Sequence, residues 1–330
     1  MSDVIEVSYT GDLLAHRRCP RSWAYEKYAG FHPYEQIQAM EGRLVHHAME
    51  WLTKFRKAGR HAKRDELQKQ LEHYFRVLWA RGVRTAFVNK AKTIERVLDN
   101  IYPGGKMHPT VYAAIEGALH TEYELRTVRR LLPLEHDGKK RLLLTGILDV
   151  VVQQKEPLRY QRTWKWTDRK GLNGKPVREE VRAETNDLEI WDYKGTRGNS
   201  DYVRDYVLQL LTYANLYRER TGRKVERCVL FFVNEPKPAE QLLAVTLEDD
   251  LLEAALEWTV AQVKELQQTM REFHKDPCSV AGGDTVDPAN NRGISDVLKA
   301  QCTACGRRFD CSTYASKEPR DVDPYRVDKN

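Results

Sequence analysis

No stretch of this 330-residue chain is apolar for long enough to cross a bilayer, although 41% of its residues are hydrophobic; a spanning helix needs roughly 20 such residues in a row. Met1 to Cys19 lacks the continuous apolar segment that follows the basic start of a secretory leader. The expectation is a cytoplasmic protein with no membrane partner. Neither a P-loop nor a dinucleotide fingerprint is present, which excludes a helicase motor from this chain, and no internal repeat is visible. Excess charge is small as well: 54 Lys and Arg against 48 Asp and Glu leave +6. That balance permits polyanion binding without requiring it. Cysteines number six, and in a reducing compartment thiols serve as metal ligands rather than disulfides. What remains is a chain long enough to bury one substantial core with a helical addition.

Periodicity supplies the organisation. A segment over 1–40 carries Leu13, Leu14, Trp23 and Tyr25 around Cys19. A helical region over 41–120 follows. In it Leu67, Leu71, Tyr74, Phe75 and Leu78 form one apolar stripe, and Ile94, Val97, Leu98 and Ile101 form another that Pro103-Gly104-Gly105 stops. Residues 121–280 read as an α/β core. Within it the runs 141–144, 150–152 and 188–191 read as neighbouring buried strands, 228–233 as a strand buried on both faces, and 241–247 as an edge strand. Helices are expected over 203–220, stopped by Gly222, and over 249–273. Residues 281–330 complete the chain as a cysteine-bearing segment, with a loop rich in Gly, Asp, Pro and Asn over 281–293 and a polar tail after Tyr314.

Two strands end in chemistry: Gly146-Ile147-Leu148-Asp149 and, about forty residues on, Ile190-Trp191-Asp192-Tyr193-Lys194. On adjoining strands Asp149 and Asp192 meet. Converging carboxylates repel unless a cation sits between them, and hard oxygen donors suit Mg²⁺ or Mn²⁺. Asp192 and Lys194 stand at i, i+2 and point to one face, so the ammonium reaches a metal-bound water or a scissile phosphate. Glu122 and Glu124 are candidates for an accessory acid, with salt-bridged structural glutamates as the other reading. His46 shares a helix with Val45, Met49 and Leu52 and reads either as a packed residue or as a ligand. Gln209 and Tyr213 share a helical face, which is either a polar rim or a wall of the site.

In chain order, Gly42-Arg43-Leu44-Val45-His46, Asp149, Asp192-Tyr193-Lys194 and Gln209-Leu210-Leu211-Thr212-Tyr213 resemble the G-x-x-x-H, acidic, D-X-K and Q-x-x-x-Y elements of the PD-(D/E)XK nucleases, in their RecB-like branch. The resemblance implies a restriction-endonuclease-like mixed central sheet flanked by helices. It implies Asp149, Asp192, Lys194, Gln209 and Tyr213 as catalytic residues. The implied metal ligands are His46, Asp149, Asp192 and the Tyr193 carbonyl, a mixed set that suits Mn²⁺ at least as well as Mg²⁺. The activity is then metal-assisted hydrolysis of DNA, with single-stranded ends as substrate, in repair, recombination or antiviral defence. A helicase or a larger defence assembly is the implied partner, and a non-catalytic DNA-binding scaffold subunit is the alternative.

Cys302, Cys305 and Cys311 form C-x-x-C-x5-C, and Cys19 stands alone near the other end. The spacing by itself fits structural zinc. In the iron-sulfur members of the RecB-like branch one cysteine before the core and three after it hold a [4Fe-4S] cluster. The resemblance therefore implies Cys19, Cys302, Cys305 and Cys311 as its ligands, joining the chain ends. Cys228 and Cys278 read as packed or incidental thiols.

Between the two acidic motifs lies an insertion over 156–187 in which basic and aromatic residues alternate. A hairpin turning near Gly171-Leu172-Asn173-Gly174 brings Trp164 and Trp166 together. Its basic side, Arg162, Lys165, Arg169 and Lys170, is expected to contact phosphates; a solvated hairpin packed through its tryptophans is the other reading. Arg126, Arg129, Arg130, Lys139, Lys140 and Arg141 form a second basic region.

Overall fold

The computed structural model describes residues 4–28, 37–80, 89–102, 109–125, 141–198, 202–275 and 280. Strand β1 (Val4–Ser8) leads through a π-helical stretch, Tyr9–Leu14, into helices α1 (Ala15–Arg18), α2 (Pro20–Tyr28), α3 (Ile37–Lys57), α4 (Arg64–Ala80), α5 (Lys90–Ile101) and α6 (Pro109–Glu116). The strands β2 (Ala118–Glu124), β3 (Arg141–Thr145), β4 (Ile147–Gln153), β5 (Leu158–Tyr160), β6 (Thr163–Asp168), β7 (Asn173–Val177), β8 (Val181–Ala183) and β9 (Leu188–Lys194) come next. Helix α7 (Val203–Thr221), strands β10 (Arg227–Phe232) and β11 (Leu242–Thr246), and helix α8 (Asp249–Lys275) follow. Contacts divide the chain into two compact units: Met1–Thr10 with Glu35–Gln262, and Gly11–Tyr34 with Val263–Asn330.

The first unit is built on a seven-stranded sheet of order β2-β4-β9-β10-β11-β6-β7. It is mixed: β9 runs parallel to β10 and β11 to β6, and the remaining neighbours are antiparallel. Alternation sorts its two faces. Val150, Val152, Trp191, Tyr193, Val229 and Phe231 join the apolar stripes of α3, α4, α5 and α6 in one buried cluster. Leu67, Leu71, Ile94, Val97, Leu98 and Ile101 are all in it, and each such side chain contributes roughly 1.5–3 kcal/mol by burial. The opposite face carries Asp149 and Asp192 and meets α7, whose Leu210 carbonyl accepts from the buried Cys228 thiol. Helix α7 ends at Gly222, at φ 70, a left-handed conformation that favours glycine.

Pairing between distant segments departs from the sequence expectation in three places. The run 141–144 does not join the acidic strands; β3 pairs in parallel with β1, an unexpected strand, in a sheet of two. The run 241–247 is interior, because Ala244 pairs with Thr163 and the hairpin β6-β7 extends the sheet beyond it. The insertion is therefore partly an edge of the central sheet and partly the small ribbon β5-β8.

In the second unit, His16 Nε2 lies 2.8 Å from Thr269 Oγ1, Tyr25 packs edge-on against Phe273 with centroids 5.2 Å apart, and Arg21 Nε donates to the Val280 carbonyl at 2.8 Å. Cys19 sits in extended backbone between α1 and α2, its sulfur accepting from Ser22 N at 3.4 Å. Cys278, Cys302, Cys305, Cys311, the loop over 281–293, the polar tail and the basic region over 126–140 lie outside the described residues.

Candidate active site

The ladder between β4 and β9 ends where Val150 opposes Trp191. Past that pair each strand stays paired on its outer side only: β4 with β2 as far as Ile147 opposite Glu124, and β9 with β10 as far as Lys194 opposite Phe232. In this fork Tyr193 N donates to Asp149 Oδ2 at 2.6 Å. The other oxygen, Oδ1, lies 3.1 Å from His46 Nδ1, which α3 delivers from one turn beyond the buried Met49 and Leu52 side of that helix.

On β9, Lys194 Nζ stands 2.5 Å from Asp192 Oδ2, 2.9 Å from Gln209 Oε1 and 4.5 Å from the Tyr206 ring centroid. The shared face predicted from i, i+2 spacing brings the acid and the ammonium together. Asp192 is 3% exposed, and its Oδ2 meets the ammonium by charge without an aligned hydrogen bond. Four positions along α7, Tyr213 is buried with Gln209 and Thr10 hydrogen-bonded to its hydroxyl. Its ring lies so close to Gly146 that a β-carbon there would fall 2.5 Å from Cε1. That approach is the reason for glycine just before β4.

The two aspartates titrate in opposite directions. Burial would raise Asp149, but the His46 ring, Lys194 and the Tyr193 N–H hold it below the usual carboxylate range. Burial dominates at Asp192, pushing it up to about 6 despite Lys194. Burial opposes the charge on His46, yet Asp149 lifts it to about 9. Glu122 is pushed up to about 7, by burial first and by Asp149 next. These opposed shifts describe a pocket with more negative charge than its own cations balance, which is the chemistry of a cation site.

Among the described residues, His46, Glu122 and Asp149 form a donor group with ligand atoms within 4.8 Å of one another. This differs from the expected set of His46, Asp149, Asp192 and Tyr193 by taking in Glu122, while Asp192 leans on Lys194. Of the two accessory acids named from sequence, Glu122 points to the site and Glu124 is exposed. Tyr206 was missed, although it stands three residues before Gln209 on the same helical face.

The basic insertion holds most of its cations in internal pairs. Arg162 is a correction to the expected phosphate contacts: it is buried, donating to the carbonyls of Glu240 at 2.5 Å and Gly198 at 3.0 Å. Arg169 is held by Glu248 and Asp250, and Lys165 lies 3.8 Å from Glu179. Lys170 is exposed. Trp164 and Trp166 do lie together, centroids 6.0 Å apart, with Trp164 buried.

A mixed sheet flanked by helices and forked over two carboxylates and a lysine defines a restriction-endonuclease-like α/β protein. The family model of the PD-(D/E)XK nuclease superfamily matches residues 11–311, and the chain belongs to that superfamily, a nuclease by family. The matched span takes in His46, Asp149, Asp192, Lys194, Gln209 and Tyr213 and runs to Cys311. No curated protein matches the chain. Among the described residues no helix is long and apolar enough to cross a membrane.

Proposed function

We propose that the protein is a Mg²⁺- or Mn²⁺-dependent deoxyribonuclease that hydrolyses phosphodiester bonds at single-stranded DNA ends, within DNA repair, recombination or antiviral defence. The observation that carries this reading is the ammonium of Lys194, 2.5 Å from Asp192 and 2.9 Å from Gln209, at the fork that holds Asp149. His46, Asp149, Asp192 and the Tyr193 carbonyl would hold the cation. The donor chemistry fits: an imidazole nitrogen and carboxylate oxygens, with Asp149 and Asp192 buried. When bound, the cation supplies a polarised phosphate oxygen and a water of lowered pKa. Lys194 orients the attacking water and offsets charge developing on the phosphate. Gln209 fixes the ammonium through its side-chain carbonyl, and Tyr213 braces Gln209 while its ring closes against Gly146. Cys19, Cys302, Cys305 and Cys311 hold a structural [4Fe-4S] cluster, and a helicase or defence complex delivers the DNA end. Of the insertion's cations, Lys170 is exposed and free to meet phosphate, as is Lys175.

The test is cleavage of end-labelled single- and double-stranded DNA by the iron-loaded protein with Mn²⁺, beside Asp192→Ala and Lys194→Ala. Each substitution is expected to lower the rate by on the order of 10²–10³-fold or more. Cleavage that survives both overturns the assignment. DNA binding with no Mn²⁺-dependent cleavage in the native protein supports a scaffold subunit instead.

A further inference from the structure

We infer that Glu122 is a cation ligand of this site, beside His46 and Asp149; the inference rests on the nuclease reading above, which supplies the cation. The register of β2 on β4 sets Thr121 opposite Val150 and Tyr123 opposite Leu148, so Glu122 falls opposite Asp149. Its φ is 48, a left-handed conformation that costs a non-glycine residue about 1–3 kcal/mol and persists only where the surroundings impose it. Glu122 holds this conformation between two ladder pairs, Thr121 with Val150 and Tyr123 with Leu148.

The half-buried Glu122 carboxylate has no hydrogen bond or ion pair among the described residues, yet it lies within 4.8 Å of the ligand atoms of His46 and Asp149. Donors on opposite sides of a Mg²⁺-sized ion stand about 4.2 Å apart, at roughly 2.1 Å per bond. The three donors, all within 4.8 Å of one another, therefore stand close enough to share one ion. Charge points the same way. Three carboxylates, Asp149, Asp192 and Glu122, face the Lys194 ammonium and the His46 ring; once His46 gives up its proton to act as a ligand, the carboxylates outnumber the ammonium by two, the charge a divalent cation cancels. A third carboxylate also biases the donor set toward hard ions such as Mg²⁺ and Mn²⁺.

The experiment is a calorimetric Mn²⁺ titration of the full-length protein without DNA, alongside its thermal midpoint without added Mn²⁺. Glu122→Gln is expected to weaken Mn²⁺ binding by roughly tenfold or more and to leave that midpoint unchanged or higher. Glu122→Asn, whose side chain tolerates the left-handed backbone, is expected to lose the same affinity with the strand undisturbed. Unchanged affinity in both variants, with Asp149→Asn weakened, overturns Glu122 as a ligand and leaves the nuclease reading standing. Unchanged affinity in Asp149→Asn as well overturns the reading on which the inference rests.

Discussion

His16 illustrates how position sets the chemistry of a single side chain. It is 5% exposed, with Nε2 against Thr269 Oγ1, and burial pushes its pKa from 6.5 down to about 4. The folded protein keeps the ring neutral, whereas the unfolded chain takes up a proton as pH falls below 6.5. The stability this group contributes is complete above pH 6.5 and is lost as pH falls toward 4, for a total of about 3 kcal/mol. Urea midpoints across that window are expected to fall more steeply in the native protein than in His16→Gln. Equal slopes would show that the ring's titration is not linked to folding. Asp149 and Asp192 make the same point at the candidate site: one residue type, two environments and opposite shifts.

Strand β9 carries two polar systems at its two ends. Asp192 and Lys194 lie at the fork. Near the start, Glu189 is fully buried on the apolar face, accepting from Gln154 at 2.6 Å, Tyr160 at 2.6 Å, Trp191 at 2.9 Å and Arg227 at 3.2 Å. Removing one partner of a buried charged network leaves the others unsatisfied, at about 3–5 kcal/mol. Glu189→Ala should lose stability of that size in denaturant titration and keep the Mn²⁺ affinity of the folded protein. A coincident loss of affinity would mean that the two ends of β9 are coupled. Elements defined by local pattern were legible in the sequence: the stripes of α4 and α5, the stop of α7 at Gly222, the continuous apolar run of β10. Elements defined by partners were not. The five-residue β1 has no local signature that distinguishes it, and nothing within 241–247 tells that β6 will cover its far side.

Across the whole molecule, the helices on either side of Cys19 pack with the end of α8 in one compact unit, through His16 on Thr269 and Tyr25 on Phe273. The proposed [4Fe-4S] cluster would close a loop spanning nearly the whole chain, constraining the unfolded state most where the loop is longest. Cys19→Ser is therefore expected to lose the brown colour and the iron, and to lower the thermal midpoint. Metal analysis that finds only zinc in the native protein would replace the cluster and leave the nuclease reading intact.

The sequence by itself determined which residue types are available and in what order: His46, Asp149, Asp192, Lys194, Gln209 and Tyr213, with Asp192 and Lys194 on one face because strand periodicity is local. Tertiary structure alone decided that the β4–β9 ladder stops at Val150 and Trp191, that Asp149 caps Tyr193 N in the resulting fork, and that Glu122 rather than Glu124 turns toward it. It also decided that Arg162 is buried on carbonyls instead of facing phosphate. Register, fork and burial arise from pairings between segments far apart in the chain, and local periodicity carries no information about where those pairings end.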